Sequence, residues 1–219
     1  MLLASFDPKL LRIVWLSVWV SSVAVSISML LGVPLGVLLG LRRFPGRALI
    51  VALVNSGMGL PPVVVGLFVF LMLARSGPLG SWELLYTPGA MVIAQVLLAT
   101  PLVVGVTLAA IQGLDDRLRL QILSLGAGRI QLMLKLLVEA RVSLLAALAA
   151  AFGSVISEVG AVMMVGGNIE GQTRVMTSAI VTETRQGHFA LAIALSCVLL
   201  LVAFVINGAF TWLQQRRRP

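Results

Sequence analysis

Gln112–Arg141 reads QGLDDRLRLQILSLGAGRIQLMLKLLVEAR, a charged and patterned stretch set between long apolar runs. Apolar residues at 114, 118, 122 and 125, with Asp115 and Arg119 four apart, predict one amphipathic helix. Gly126-Ala127-Gly128 then breaks the pattern with a flexible turn. A second helical run from about Arg129 to Val138 exposes Arg129, Gln131 and Lys135 among mostly apolar neighbours. Two short helices about a glycine bend are therefore expected over 112–141. An interfacial hairpin that anchors a bundle and a docking element for a soluble partner both fit this pattern.

On either side of that stretch the chain turns apolar. Of 219 residues, 59% are hydrophobic and 11% charged, too little polar surface for a water-soluble domain of this size. Aromatic residues make up 6% and glycines number 21, so the apolar content is aliphatic and small. That suits closely packed helices in lipid rather than a barrel with aromatic girdles. Five stretches reach the roughly 20 residues needed to cross a hydrocarbon layer. They lie near 13–41, 48–74, 89–111, 142–165 and 189–213, and an all-α, polytopic membrane bundle follows. Lys9 and Arg12 precede a first run too long for the core of a secretion signal, and no small-residue cleavage site follows, so that run is expected to stay in the mature chain. Cys197 has no intrachain partner and is expected to be a buried small residue.

Basic residues orient the bundle. Arg42, Arg43, Arg47, Arg117, Arg119, Arg129, Lys135, Arg141 and Arg216 to Arg218 fall on one side, eleven in all. Lys9, Arg12, Arg75, Arg174 and Arg185 make five on the other. The excess marks the cytoplasmic side, which puts the N-terminus outside and the C-terminus inside, as an odd number of spans requires. Formal net charge is +8, met by anionic headgroups at about 1 kcal/mol per cation. No basic stripe interleaved with aromatics occurs, which argues against a nucleic-acid partner.

Within the second span, Asn55, Gly57, Gly59, Pro61, Pro62 and Gly66 cluster near mid-depth. Two consecutive prolines remove two donors and oppose the preceding turn, so an uninterrupted helix is excluded there. Irregular backbone at that depth needs protein or a wet cavity to satisfy it, and broken spans are where transport paths lie. Gly59-Leu60-Pro61-Pro62 is the first choice for a gate, with a plain packing kink as the alternative. Glu158 is the one acidic residue well inside a span, so it is expected to point inward. A carboxylate repels an oxyanion. Glu158 is expected to be protonated or to meet a hydroxyl, a backbone amide or a basic group across a dimer axis, fixing Gly160 and the start of the Gly166-Gly167-Asn168 loop, with gating as the alternative role. The outer segment 166–187 carries Thr173, Arg174, Thr177, Ser178, Thr182, Thr184 and Arg185, donors that suit a tetrahedral dianion or a solvated loop touching another protein. His188 stands alone and makes no metal site, and none is expected elsewhere.

No Gly-x-x-x-x-Gly-Lys-Ser/Thr phosphate loop is present, so any ATP and its magnesium belong to a partner. A Ser/His/Asp set and a His-Glu-x-x-His helix are also missing, so the chain is read as no enzyme. An ion-gradient carrier needs an inverted repeat and coupling carboxylates, and neither is found. A membrane scaffold without transport is the third reading.

At its place between the third and fourth spans, Leu125-Gly126-Ala127-Gly128-Arg129 resembles the loop of binding-protein-dependent ABC importer permeases that engages the ATPase. Leu120-Gln121-Ile122 stands where that family usually has Glu-Ala-Ala, and Glu139 where a proline follows. Val138-Glu139-Ala140-Arg141, Phe152-Gly153, Ile156, the run from Glu158 to Ile169 and the run from Thr177 to Thr184 are similar to the tungstate-importer permeases, whose close relatives carry molybdate and sulfate. The resemblance covers most of 50–210 and is specific over 117–187. It implies one type I, MetI-like ABC importer transmembrane domain over 1–219, with 112–141 as its cytoplasmic coupling hairpin, in the inner membrane of a prokaryote. It further implies a homodimer, two cytoplasmic ATPase subunits, an extracytoplasmic oxyanion-binding protein and no cofactor on this chain. The expected coupling residues are Leu125, Gly126, Ala127, Gly128, Arg129 and Glu139. The expected path or gate holds Gly59, Pro61, Pro62, Glu158, Gly160, Gly166, Gly167, Asn168 and Thr177.

Overall fold

A computed structural model describes residues 8–216, without the side chains of Asp116 and Arg216. The basic residues Arg217 and Arg218 lie outside the described residues. Among the described residues ten α-helices run in the order α1 (Pro8–Leu41), α2 (Arg47–Met58), α3 (Pro62–Leu73), α4 (Pro88–Gln112), α5 (Asp116–Ser124), α6 (Arg129–Glu139), α7 (Arg141–Ile156), α8 (Gly160–Gly166), α9 (Met176–Arg185) and α10 (Phe189–Arg216). A single 3₁₀ turn, Gly80–Trp82, sits between α3 and α4, and no strand occurs among the described residues.

α1, α4 and α10 are each long and apolar enough to cross a membrane unbroken. α2 with α3, bent by 104°, and α6 with α7, bent by 69°, pass the same test as pairs, which gives up to five spans. The expected second span is thus interrupted where the prolines stand. The expected fourth span, 142–165, is not one rod: α7 stops at Ile156 and α8 restarts at Gly160. Its apolar composition carries through the break, which is why hydropathy alone joins the pieces.

α1 and α4 form the most extensive helix pair in the bundle. Gly32, Gly36 and Gly40 recur every fourth residue along α1, so they share one face. A Cβ on them would stand 2.8 Å from Val103, 2.6 Å from Thr107 and 2.8 Å from Ile111, three residues at the same spacing on α4. The two backbones approach because α1 has no side chain at these positions to hold them apart, and dispersion gains from that approach where lipid offers no hydrophobic drive. Hydroxyls add to the seam: Thr100 Oγ1 donates to Val96 O at 2.7 Å and reaches Ser28 Oγ at 3.3 Å.

Buried side chains gather at three levels. Val20, Ala24, Val65, Val69, Met91, Val162 and Val165 fill the end near the start of α1. Val25, Val103, Phe152 and Val155 fill the middle, with Phe210 of α10 set edge-on to Phe152. Val37, Ile111, Leu132 and Leu136 close the end that carries α5 and α6. α10 packs on α7 and α9 and leaves Leu200, Leu201, Phe204 and Val205 uncovered, as a lipid-facing helix does. Cys197 is exposed on this helix rather than buried, because it falls on the outward side of a span whose inward face is set by Ala192 and Leu195.

Candidate transport junction and coupling hairpin

The two interrupted spans meet. α2 ends at Met58, where Gly59 donates back to Ser56 O at 3.1 Å. Leu60 and Pro61 each precede a proline and are pushed out of helical geometry; Pro61 is extended at φ −62° and ψ 123°. Pro62 then opens α3, a position where its missing N–H is no loss. Gly59, Leu60, Pro61, Pro62, Val63 and Val64 all lie exposed at this corner.

The other face of the start of α3 packs on the start of α8. A Cβ on Gly160 would come within 2.7 Å of Val63 Cγ2, and one on Gly66 within 2.7 Å of Ala161 Cα. These two glycines let the broken spans cross in contact. Glu158, half-buried in the break between α7 and α8, accepts from the Ala161 N–H on Oε1 at 2.9 Å, an i to i+3 bond that caps α8. Its backbone carbonyl, freed by the break, accepts from Thr177 Oγ1 of α9 at 2.9 Å. The backbone amide is therefore the partner of this carboxylate, as one of the sequence readings has it.

Gln95 was not foreseen. It lies buried in the middle of α4, donating from Nε2 to Val155 O at 2.9 Å, a carbonyl at the break that also accepts from the Glu158 N–H at 3.2 Å. Gln95 Oε1 is buried without a protein partner. A small cavity of about 10 Å³ beside it is lined by Ser17, Ser21, Gln95, Glu158 and Thr177 among apolar neighbours, room for about one water. An amide in the middle of an apolar span was the available signal, since polar groups at that depth need a partner.

The segment 166–187, expected as an open loop, holds the ten-residue helix α9, and Thr173, Thr177 and Ser178 are buried while Thr184 is exposed. Thr173 is 1% exposed and links Gly166 O, to which it donates, with the Ile169 N–H, which it accepts at 2.9 Å. Ser178 is 1% exposed and accepts from the Val175 N–H at 3.1 Å. Asn168, at φ 50°, donates to Thr182 Oγ1 at 2.6 Å. Gly166 packs against Met91, and Gly167, at φ 70°, against the Tyr86 ring, where a Cβ would stand 2.7 Å from Cδ1. Arg174 pairs with Glu170 at 3.6 Å and His188 with Glu183 at 2.9 Å. This run caps the bundle, with Thr177 held on the Glu158 carbonyl, while Asn168 Oδ1 and Arg174 Nε stay buried without a partner among the described residues. Residues of this type are polar by composition, but their burial follows from α9 folding back: its Met176 N–H donates to Ser17 Oγ of α1 at 2.8 Å.

At the other end, 112–141 folds as the paired helices expected. Asp115 caps α5 by accepting from the Arg117 N–H at 2.8 Å. α5 closes with Gly126 left-handed at φ 82°, the Gly126 N–H on Leu123 O at 3.0 Å and the Ala127 N–H on Ile122 O at 3.4 Å. That is a Schellman closure, which favours glycine at this position. Gly128 then starts α6, its N–H donating to Gln131 Oε1 at 2.8 Å. Leu132 and Leu136 sink against Val37 and Ile111 with Leu114, Leu118 and Ile122 partly buried beside them. Leu125 departs from its periodic expectation: it follows the last helical turn and is 87% exposed. Ile130, 75% exposed, continues with Leu134 and Val138 as an uncovered apolar edge along α6, and Arg129 and Glu139 are exposed at its ends. Only Ala140 separates α6 from α7.

The family model described as binding-protein-dependent transport system inner membrane component matches residues 32–219. The tungstate uptake system permease protein TupB of Peptoclostridium acidaminophilum is 42% identical over 214 residues, 98% of this chain and 94% of its own length. The probable anion ABC transporter permease protein of Haloferax volcanii is 43% identical over 174 residues, 77% of this chain and 75% of its own. More distant relatives are named for molybdenum and for sulfate transport. The fold is similar to that of the MetNI methionine ABC transporter in an inward-facing form, with a TM-score of 0.79 over 99% of both chains at 19% identity. A bundle with two broken spans in contact, matched by that model over most of its length, belongs to the family of inner membrane components of binding-protein-dependent transport systems.

Proposed function

We propose that this chain is the permease subunit of an ATP-driven importer of a tetrahedral oxyanion, with tungstate as the cargo. It works as a homodimer with the N-terminus outside, a single transmembrane domain whose two copies bring their Gly59–Pro62 corners to a shared path. Two cytoplasmic ATPase subunits hold ATP and magnesium and hydrolyse it, and an extracytoplasmic protein delivers the anion. The chain itself needs no cofactor.

One observation carries the coupling part of this reading: α6 enters α7 through Ala140 alone, and α7 ends at the Glu158 break that packs on the gate corner. The 16 residues of α7 make a rod of about 24 Å from hairpin to junction. An ATPase gripping Leu125, Gly126, Ala127, Gly128, Arg129 and the α6 edge up to Glu139 pulls on that rod. Closing of the nucleotide sites then moves both hairpins together, shifts Glu158 and Gly160 against Val63, and reopens the path outward. Release returns it inward. Glu158 and Thr177 serve by holding the ends of the break, while Gly166, Gly167 and Asn168 hold the outer cap against which α8 is braced. The tungstate assignment is supported by the named relatives that match at 42% over nearly the whole chain and at 37% over 75% of it.

Proteoliposomes containing the permease, its ATPase and the binding protein test this reading. Uptake of tungstate that requires ATP and the loaded binding protein is expected, with molybdate and sulfate competing weakly. Uptake without ATP sinks the importer, and equal uptake of the three anions sinks the cargo assignment in favour of a general oxyanion permease.

A further inference from the structure

Between the end of α1, the start of α2 and the hairpin lie two adjoining clefts, of which the transport cycle above uses only Arg129, at the rim of the second. The first, of about 280 Å³, is lined by Arg43, Arg47 and Arg119 with one opposing carboxylate, Asp115. That carboxylate already accepts from the Arg117 N–H. Arg47 is held in place by its Nε–H, which donates to Leu39 O at 2.7 Å, and its terminal nitrogens remain for a ligand. Among the described residues, Arg43 and Arg119 have no ion pair. The second cleft, of about 360 Å³, has a different wall: Leu38, Leu41, Leu132 and Met133, rimmed by Arg42, Arg119 and Arg129. Arg119 and Leu41 border both clefts, so the two adjoin.

A cationic cleft beside an apolar one fits an amphiphile with an anionic head. A free oxyanion fills the first and has no use for the second. Leu31, Leu35 and Leu38, at i, i+4 and i+7 on α1, are all exposed and lead from the second cleft up the helix as an uncovered apolar stripe. Arginine pairs with phosphate oxygens through two parallel N–H bonds, and basic pockets between helix ends take phospholipid headgroups.

We infer that the paired clefts hold one anionic phospholipid, its phosphate between Arg43, Arg47 and Arg119 and one acyl chain along Leu41, Leu38, Leu35 and Leu31. The inference rests on the proposed orientation, which puts this end of the bundle in the cytoplasmic leaflet. A lipid there wedges the hairpin against the α1–α2 turn and sets the angle at which the hairpin meets its ATPase.

Native mass spectrometry of the permease–ATPase complex, titrated with phosphatidylglycerol or with phosphatidylcholine of the same chains, tests it. One phosphatidylglycerol per permease is expected to bind in preference to phosphatidylcholine. Arg43→Gln with Arg119→Gln is expected to weaken that binding roughly thirty-fold, and Arg43→Gln alone, on an exposed turn that tolerates change, roughly five-fold. Arg185→Gln, on the far end of the bundle, leaves it unchanged. Equal binding of the two lipids, or unaltered binding in both variants, overturns the inference. So does inorganic phosphate displacing the lipid at equal concentration, which assigns the site to a free oxyanion, or loss of the ATPase in place of the lipid, which assigns the arginines to the subunit interface. The side of the membrane is read separately, by labelling Gln112→Cys in a Cys197→Ser background with an impermeant maleimide. Labelling from outside refutes the orientation, whereas the lipid titration in detergent reports on the clefts whichever way the chain inserts.

Discussion

The hairpin at one end of this bundle and the α8–α9 cap at the other carry similar ingredients, glycines beside polar and basic residues, and fold to opposite ends. In the hairpin, large apolar side chains stay uncovered, with Leu125 at the turn and Ile130, Leu134 and Val138 along α6. In the cap, the hydroxyls of Thr173 and Ser178 are buried and bonded to their own backbone. An uncovered apolar edge beside charged residues offers a surface on which a partner can seat. A buried, bonded hydroxyl is a group spent on the fold. On the proposed function the contrast separates a docking surface from a brace, and neither property follows from residue type alone.

The largest effect that sharpens this contrast is expected at the hairpin. Leu125→Asp with Ile130→Asp places charge on the uncovered edge without touching the core, so co-purification of the ATPase falls at least a hundredfold while the permease unfolds at the same temperature. A matching loss of permease stability breaks the distinction, because it makes those side chains part of the fold. At the cap, Thr173→Val keeps the shape and removes a hydroxyl that serves Gly166 O and the Ile169 N–H, at a cost of about 2 kcal/mol in stability. Thermal unfolding in detergent measures it, and ATPase binding is expected to be unchanged.

Gly126→Ala comes next. Nothing crowds a Cβ there, so the cost is the left-handed backbone alone, about 1 kcal/mol, read as weakened coupling of hydrolysis to uptake with transport still detectable. Normal coupling with normal stability argues that the turn is not the grip. The smallest effect is expected for Glu170→Gln, which removes exposed ion pairs with Lys9 and Arg174 and changes stability by no more than about 0.5 kcal/mol. A larger change makes the cap an electrostatic lock.

Much of the fold was legible beforehand because its causes are local. Pro61-Pro62 forbids a continuous helix whatever surrounds it, and the 104° bend stands there. Gly126 followed by Ala127 and Gly128 allows the left-handed closure that ends α5, and the periodic leucines around it had to find a core. The Glu158 carboxylate found a backbone amide, one of the partners its burial demanded.

The rest depends on what lies across from a residue. Ser157 to Val159 break a span that composition reads as one, because Gly160 and Ala161 gain contact with Val63 and Gly66 by restarting as α8. Thr173, Thr177 and Ser178 look like donors for an anion until α9 folds back and uses them. Gln95 looks like an isolated polar residue until the Val155 carbonyl is found beside it.

By itself, then, the chain's order of residues determined the number of apolar segments, the place of the proline break and the turn between α5 and α6, since hydropathy, ring sterics and backbone sign act within a few residues. Only the tertiary structure decided which broken ends meet, which hydroxyls are consumed inside and which leucines are left uncovered. Those outcomes are contacts between residues far apart in the chain, and each polar group takes whichever partner the packing brings within hydrogen-bond reach.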